Sequence, residues 1–408
     1  MSEDNELKVK IKGKIRDLLA FSKLTKTREK KFEKASAKPI EEDTLKALAE
    51  DLHPDYQHLI IDKIIDNTKS TKTFRLIPDS EFNEALALFR AGQFLSLKVN
   101  VNGYEITRPY TISSSPRDAL AGFYEVSIKR EENGFLTNFI WDNWKVGTKV
   151  TSSGPQGFFY FQPLRDSKNI AAIAGGSGIT AFRSIAKEVA EGSLDINLTI
   201  LYGCSDEDDI LFYEELKHLE KQNPNKIKLV IVLSCEEVSL EGCETGFITS
   251  EIIKKYTDIA NDTYFICGPQ LMYEFMDEEI SKLKISQSRI RKEMYGEIKE
   301  VTKFPDYPTK EKAEKVYNIE VLIGSEIKEI PAKATDTVLV SMEKAKIIAP
   351  SSCRSGECGF CRSYLISGDI YTLTKSDGRR EADKEYNFFH PCSSYPLSDL
   401  EIEVPRRK

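Results

Sequence analysis

Residues 353–361 read Cys353-Arg-Ser-Gly-Glu-Cys358-Gly-Phe-Cys361, and after thirty intervening residues Cys392 follows within HPCSSYP. Thiolates are the soft ligands that iron prefers, and so short a loop lets three of them converge while a distant segment supplies the fourth. Gly356 and Gly359 can take positive φ, which brings backbone N–H groups close to sulfur. A structural zinc site is the rival reading. Zinc usually sits between two C-x2-C-like knuckles, whereas the second half here is a lone cysteine, so the pattern points to an iron–sulfur centre held by Cys353, Cys358, Cys361 and Cys392. His390 lies two residues before Cys392, and with four cysteines present it is expected beside the cluster rather than on it.

Working outward, NIEVLIG and KEIPAKATDTVLVSMEKA read as a hairpin and a short helix, which makes 316–408 a small α+β domain. Residues 296–315, GEIKEVTKFPDYPTKEKAEK, lack apolar periodicity, contain two prolines and are expected to form a linker. Between 165 and 295 the apolar runs IAAIAG, LTILYG, LVIVLS and TYFICG alternate with helical patterns through Phe182–Val189, Phe212–Leu219 and Leu271–Leu283, which predicts a parallel sheet covered on both faces. In 55–164 the short runs HLIIDKII, TFRLI, QFLSLKV and FYEVSIK, separated by turn residues, predict an antiparallel barrel. Residues 1–54 form a helical extension, with one helix expected from Leu7 to about Lys34 and a second over Thr44–Leu52.

A chain of 408 residues, 40% hydrophobic and 30% charged, has ordinary globular composition and room for several domains. Its net charge is −7, yet residues 1–40 hold 12 Lys/Arg against 6 Asp/Glu. This basic arm suits docking on an acidic partner or membrane surface, although a solvated helix is the simpler reading. The acidic remainder excludes a nucleic-acid footprint. No apolar run approaches the roughly 18 to 20 residues of a membrane span, and MSEDNELKVK has no apolar signal core, so the protein reads as cytoplasmic and not transmembrane. Eight cysteines are few for this length, and Cys204, Cys235 and Cys243 show no pairing pattern, so reduced thiols are expected.

The barrel region carries RPYTISSSP from Arg108, GFLTN from Gly134 and GPQGFF from Gly154. A flavin needs an aromatic plate, a hydrogen-bond donor near N5 and a cationic or N–H-rich phosphate site, and these segments offer all three. Further on, Gly176-x-Gly178-x-x-Ala181 follows an expected strand and opens a helix, the context in which a pyrophosphate rests on a helix N-terminus.

In their order and spacing these segments resemble the ferredoxin–NADP reductase superfamily, and the last ninety or so residues resemble a plant-type ferredoxin of β-grasp fold. The resemblance implies that Arg108 and Pro109 lie at the flavin phosphate, Tyr110 lies against the isoalloxazine and Thr111 bonds near N5. It implies that Ser127 to Lys129 line the flavin and that Gly134, Leu136 and Thr137 hold a diphosphate, which favours FAD over FMN. Gly176, Gly178 and Thr180 would contact the dinucleotide. Cys267, with Gly268, Pro269 and Met272 in a CGPxxM string, would lie near the nicotinamide, so that Tyr110, Thr111 and Cys267 are the candidate catalytic residues.

From Leu198 to Leu216 there is no Lys or Arg, only an acidic run CSDEDDILFYEEL that repels a 2′-phosphate and can accept ribose hydroxyls, so NADH is expected rather than NADPH. Asp206 to Asp209 lie about thirty positions beyond the glycines, further than the usual spacing of about twenty, and no single ribose ligand is assigned. The module order implies an oxidoreductase that moves electrons from NADH through FAD and [2Fe–2S] to an acceptor redox protein. Two alternatives stay open: a self-contained reductase of a small molecule or quinone, and an electron-wiring subunit of a larger complex.

Overall fold

The computed structural model describes residues 15–35, 43–82, 85–132, 134–235, 240–294, 296–298, 300–304, 306–308, 313–373 and 377–405. The chain divides into two units, 1–49 and 50–408. The first contains α1 (Ile15–Glu33), which exposes Ile15, Leu19, Leu24 and Phe32, and the start of α2 (Thr44–Leu52). Leu7 and Ile11, expected to begin the first helix, lie outside the described residues. Among the described residues no helix is long and apolar enough to cross a membrane.

The second unit opens with a six-stranded antiparallel sheet of β1 (Tyr56–Asp66), β2 (Thr71–Pro78), β3 (Phe94–Val101), β4 (Tyr104–Thr111), β5 (Tyr124–Lys129) and β6 (Lys149–Ser153), in the order β4-β3-β6-β1-β2-β5. A bridge between Ile112 and Val126 brings its two edges together into a barrel. Alternate side chains point inward, as the strand period of two requires, so Leu59, Ile61, Phe74, Leu76, Leu95, Leu97, Val126 and Ile128 fill the interior. Helices α3 (Pro116–Leu120) and α4 (Phe135–Asn143) sit in its connections.

Next comes a parallel sheet of β7 (Asn169–Gly175), β8 (Asn197–Cys204), β9 (Ile227–Leu233), β10 (Glu244–Thr245), β11 (Thr263–Cys267) and β12 (Ile290–Glu293), in the order β10-β9-β8-β7-β11-β12. Helices α5 (Ile179–Ala190) and α6 (Tyr213–Gln222) cover one face, where Ile170, Ala172 and Ala174 meet Ile185 and Leu216. Helices α7 (Ser250–Tyr256) and α8 (Gln270–Leu283) cover the other, where Ala171 and Ile173 meet Ile253 and Met276. Burial on both faces is why these strands read as continuous apolar runs. Strand order reverses between β7 and β11, the switch point at which open α/β sheets form a ligand crevice.

The last sheet runs β14-β13-β19-β15-β17, with β13 (Val316–Ile323) parallel to β19 (Leu400–Glu403) and the helix Val338–Lys344 packed on it. Its remaining strands are β14 (Glu326–Lys333), β15 (Ser363–Ser367) and β17 (Phe388–Phe389), and β16 (Ile370–Thr372) pairs with β18 (Ser394–Pro396) beside it. The expected linker is anchored to this module: Val301 and Tyr307 are buried against Tyr371, Leu373 and Tyr395, and the Tyr395 hydroxyl donates to the Ile298 carbonyl at 3.0 Å. Its aromatics are too sparse to make a period, but they find partners from another module.

Barrel and nucleotide sheet are joined by a buried ion network. Arg183 on α5 donates to Glu125 on β5 at 2.8 Å and to Glu215 on α6 at 2.6 Å, while Arg75 reaches Glu125 at 3.0 Å. Burial pushes the Glu125 carboxyl up, but the two arginines outweigh it and hold the group below its ordinary value. Removing one member of such a network strands a buried charge. Arg183→Met is therefore expected to cost about 3 kcal/mol in urea unfolding at pH 7, with most of the loss recovered in Arg183→Met/Glu125→Gln. A depressed carboxyl stabilises above its unfolded pKa of about 4.3 and loses that contribution as pH falls through the folded value, so the gap between Arg183→Met and wild type should narrow below about pH 4.

Candidate flavin, nucleotide and cluster sites

Arg108, Pro109 and Tyr110 at the end of β4 face Gly134, Leu136 and Thr137 at the start of α4 across a cavity of about 640 Å³. Gly134 caps the helix, and a Cβ there would come within 2.2 Å of the Thr137 hydroxyl, so glycine keeps the helix N-terminus open. That hydroxyl accepts from the Glu131 N–H at 3.2 Å. Burial and the nearby Arg354 cation push the Arg108 guanidinium down, a desolvated state that an anionic phosphate would relieve. Burial raises the Tyr110 phenol to about 12, partly opposed by Arg108, which keeps the ring neutral as an apolar plate. Phe135 of the GFLTN segment also lines this cavity, as do Glu131, Glu132 and Gly296, to which no motif pointed.

Three expected flavin residues are not among those lining this cavity: Thr111, buried at the end of β4, Ser127 and Lys129. Ser127 is buried in a hydroxyl cluster with Thr73 at 2.7 Å and Ser113 at 3.2 Å, and Lys129 is ion-paired with Asp209. Asp209 also accepts from Ser70 at 2.7 Å, and Asp208 from Lys69 at 2.7 Å. The acidic run expected to meet ribose hydroxyls thus spends two carboxylates on the barrel. Cross-module pairing of this kind carries no local sequence signal.

At the switch point, Gly176 has φ +50 and Gly178 is the N-cap of α5. A Cβ on Gly178 would lie 2.1 Å from the Cys267 carbonyl oxygen, so the turns after β7 and β11 pack backbone on backbone. Met272 covers both Gly175 and Gly268, and Thr180 donates to the Ser177 carbonyl at 2.9 Å. Burial pushes the Cys267 thiol up, so it stays protonated and acts by position rather than as a nucleophile.

In the cluster loop the Cys361 and Cys392 sulfurs are 3.3 Å apart, and Cys353 accepts from the Cys358 N–H at 3.4 Å. Hydrogen bonds from the Cys358 and Cys392 thiols drive Cys353 toward thiolate. Phe360 N–H reaches the Cys358 sulfur at 3.4 Å, and Gly356 and Gly359 have φ +84 and +69. The four sulfurs run as a chain, Cys358 to Cys353 to Cys392 to Cys361, which gathers the thiolates that two irons need. His390 lies beside the loop, its Nδ1 2.5 Å from the Gly356 carbonyl oxygen. Arg354, one residue after the first ligand, has a fully buried side chain whose Nε has no protein partner among the described residues. A chain of thiols, an orphaned donor and N–H groups aimed at sulfur fit a [2Fe–2S] cluster.

Three family models match the chain: an oxidoreductase FAD-binding domain over 58–161, an oxidoreductase NAD-binding domain over 172–278 and a 2Fe-2S iron-sulfur cluster binding domain over 322–397. The chain belongs to the ferredoxin–NADP reductase superfamily. This ferredoxin–NADP reductase-type protein is 24% identical to the glycine betaine monooxygenase reductase subunit of Chromohalobacter salexigens, over 84% of this chain and 93% of that one. It is 31% identical to NADH-cytochrome b5 reductase 1 of Candida glabrata, over 56% of this chain and 79% of that one. Its fold is that of the solved phthalate dioxygenase reductase, with TM-score 0.60 and 21% identity over 86% of this chain and 98% of that one. It is an oxidoreductase that moves electrons from a nicotinamide nucleotide through FAD and a [2Fe–2S] cluster to a partner redox protein.

Gly178→Ala forces the turns after β7 and β11 apart. It is expected to weaken NAD⁺ binding at least about tenfold by isothermal titration, equivalent to about 1.4 kcal/mol, while the cluster absorbance of the same preparation is unchanged.

Proposed function

We propose that the protein is the NADH-dependent reductase component of an oxygenase system. The observation that carries this reading is a second cavity, of about 290 Å³, where all three modules meet. Phe94, Gln156 and Gly157 come from the barrel, Arg291 to Met294 from the end of the nucleotide sheet, and Cys353 and Cys358 from the cluster loop. Two cluster ligands thus share a wall with flavin-side and nucleotide-side residues, the arrangement an internal electron relay needs.

When bound, the flavin takes a hydride as an electron pair and the cluster passes electrons on one at a time. Arg108 and the α4 amides hold the diphosphate, which is the basis for FAD over FMN. Tyr110 supplies an apolar plate, and Thr111, buried at the end of β4, offers a hydroxyl for N5. Gly176, Gly178, Gly268 and Pro269 shape the nucleotide crevice, Met272 packs it from beneath, and Cys267 keeps its proton on sulfur. This chemistry depends on orientation rather than acid–base work.

For NADH over NADPH, the support is the absence of Lys and Arg between 198 and 216, with Asp208 and Asp209 neutralising Lys69 and Lys129 nearby. An oxygenase as acceptor is supported by the monooxygenase reductase subunit to which most of the chain aligns. A cytoplasmic setting is supported by eight free cysteines. The basic arm, with exposed Ile15, Leu19, Leu24 and Phe32 among its cations, is proposed to assist docking on the acceptor.

Steady-state assays are expected to give a kcat/KM for NADH at least about tenfold above that for NADPH; parity would remove the charge argument. Cys358→Ser should eliminate the cluster's visible absorbance and with it the reduction of a one-electron protein acceptor. Retained acceptor reduction would favour a self-contained reductase. Deleting residues 1–54 should raise KM for the protein acceptor and leave NADH–ferricyanide turnover as it was.

A further inference from the structure

The first cluster ligand, Cys353, is flanked by two residues whose side chains leave the ferredoxin module. Ser352, 3% exposed, donates to the side-chain oxygen of Gln156, and the Ser96 hydroxyl meets it at 2.9 Å. Ser96 is on β3, directly opposite Pro109 of the flavin motif, and Gln156 exchanges two 2.9 Å backbone hydrogen bonds with Phe94 on the same strand. One side of the ligand is therefore bonded to the strand that backs Arg108 to Thr111.

On the other side Arg354 is sealed from solvent. Its guanidinium forms a bidentate pair with Glu343 on the helix Val338–Lys344, at 2.6 and 2.9 Å, and a second pair with Glu297 on the segment leaving β12. Glu343 continues to Arg108 at 3.6 Å. Two cations and two carboxylates thus join the cluster loop, the ferredoxin helix, the exit from the nucleotide sheet and the flavin arginine. Arg354 has φ +59, a conformation uncommon for a side chain with a Cβ, and it is held there by its partners.

Buried ion groups of this kind add little net stability, but any other pose strands a desolvated charge, so they select one arrangement. We propose that Ser352 and Arg354 clamp the cluster loop in a single pose on the flavin barrel, so that electrons cross from flavin to cluster without movement of the ferredoxin module. Both are positioning residues. Glu297 and Ser96 are their partners in the other modules, which separates this role from one confined to the ferredoxin fold. The inference rests on the electron path proposed above.

The test uses wild-type holoprotein with Ser96→Ala, Glu297→Gln and the charge-balanced double variant Glu297→Gln/Arg354→Met, which removes one cation and one carboxylate, keeps the Arg108–Glu343 pair and should still fold. Anaerobic stopped-flow mixing with NADH separates flavin bleaching from cluster bleaching, and limited proteolysis of the 296–315 segment reports release of the module. In Ser96→Ala and Glu297→Gln the flavin phase should match wild type, while the cluster phase slows by about tenfold or more, the scale of an ångström-level misplacement. Cleavage should accelerate in all three variants, most in the double, and the dithionite-reduced cluster of the two single variants should keep the wild-type EPR line shape. Unchanged cleavage in every variant overturns the clamp regardless of electron flow. Unchanged cluster bleaching in the two single variants overturns it as well. A wild-type cluster that NADH cannot reduce overturns the electron path instead, and the proteolysis arm then still decides the clamp.

Discussion

A guanidinium removed from water must keep carboxylates in contact or destabilise whatever buries it. This constraint acts at both module junctions. Arg183 joins the barrel to the nucleotide sheet through Glu125 and Glu215, and Arg354 joins the cluster loop to Glu343 and Glu297. Each arginine draws partners from a different stretch of chain, so the modules are held by contacts with specific geometry rather than by apolar area alone. The two cavities lie where these junctions leave space: one between β4 and α4, the other bounded by barrel, nucleotide sheet and cluster loop.

The path from nucleotide to cluster follows from strand ends. Parallel strands deliver the turns after β7 and β11 to one crevice, close enough that only glycine fits at 178. Antiparallel β3 and β4 place Leu95 opposite Tyr110 and Phe94 opposite Thr111, so the flavin motif and the strand touching the cluster loop form one ladder. The three modules then adjoin at one cavity, where a hydride donor, a flavin and a one-electron carrier can be brought together.

Elements set by local pattern were legible in the sequence. The apolar runs predicted the parallel strands, the 3.6-residue period predicted α2 over Thr44–Leu52 and the core of α5, and the cysteine spacing predicted a shared thiol site. The flavin motif residues Arg108, Tyr110, Gly134 and Thr137 were found in separate segments and line one cavity. What depended on distant partners was not legible. The ion pairs of Lys129 with Asp209 and of Lys69 with Asp208 join residues 80 and 139 positions apart, which no local motif signals. The 296–315 segment looks like linker because its apolar residues pack on aromatics some seventy positions away, beyond the reach of any periodicity. Nothing local marks Arg354 in the cluster loop; only the tertiary fold shows that its charge is buried.

The central claim is that electrons entering as hydride leave through the [2Fe–2S] cluster of the same chain. Its most direct test is rapid-freeze-quench EPR of anaerobic wild-type holoprotein mixed with NADH. The account predicts that flavin absorbance falls first and that the rhombic signal of a reduced [2Fe–2S] cluster then grows in at a rate independent of protein concentration. A flavin that bleaches while the cluster stays EPR-silent, with a protein acceptor still being reduced, would contradict it.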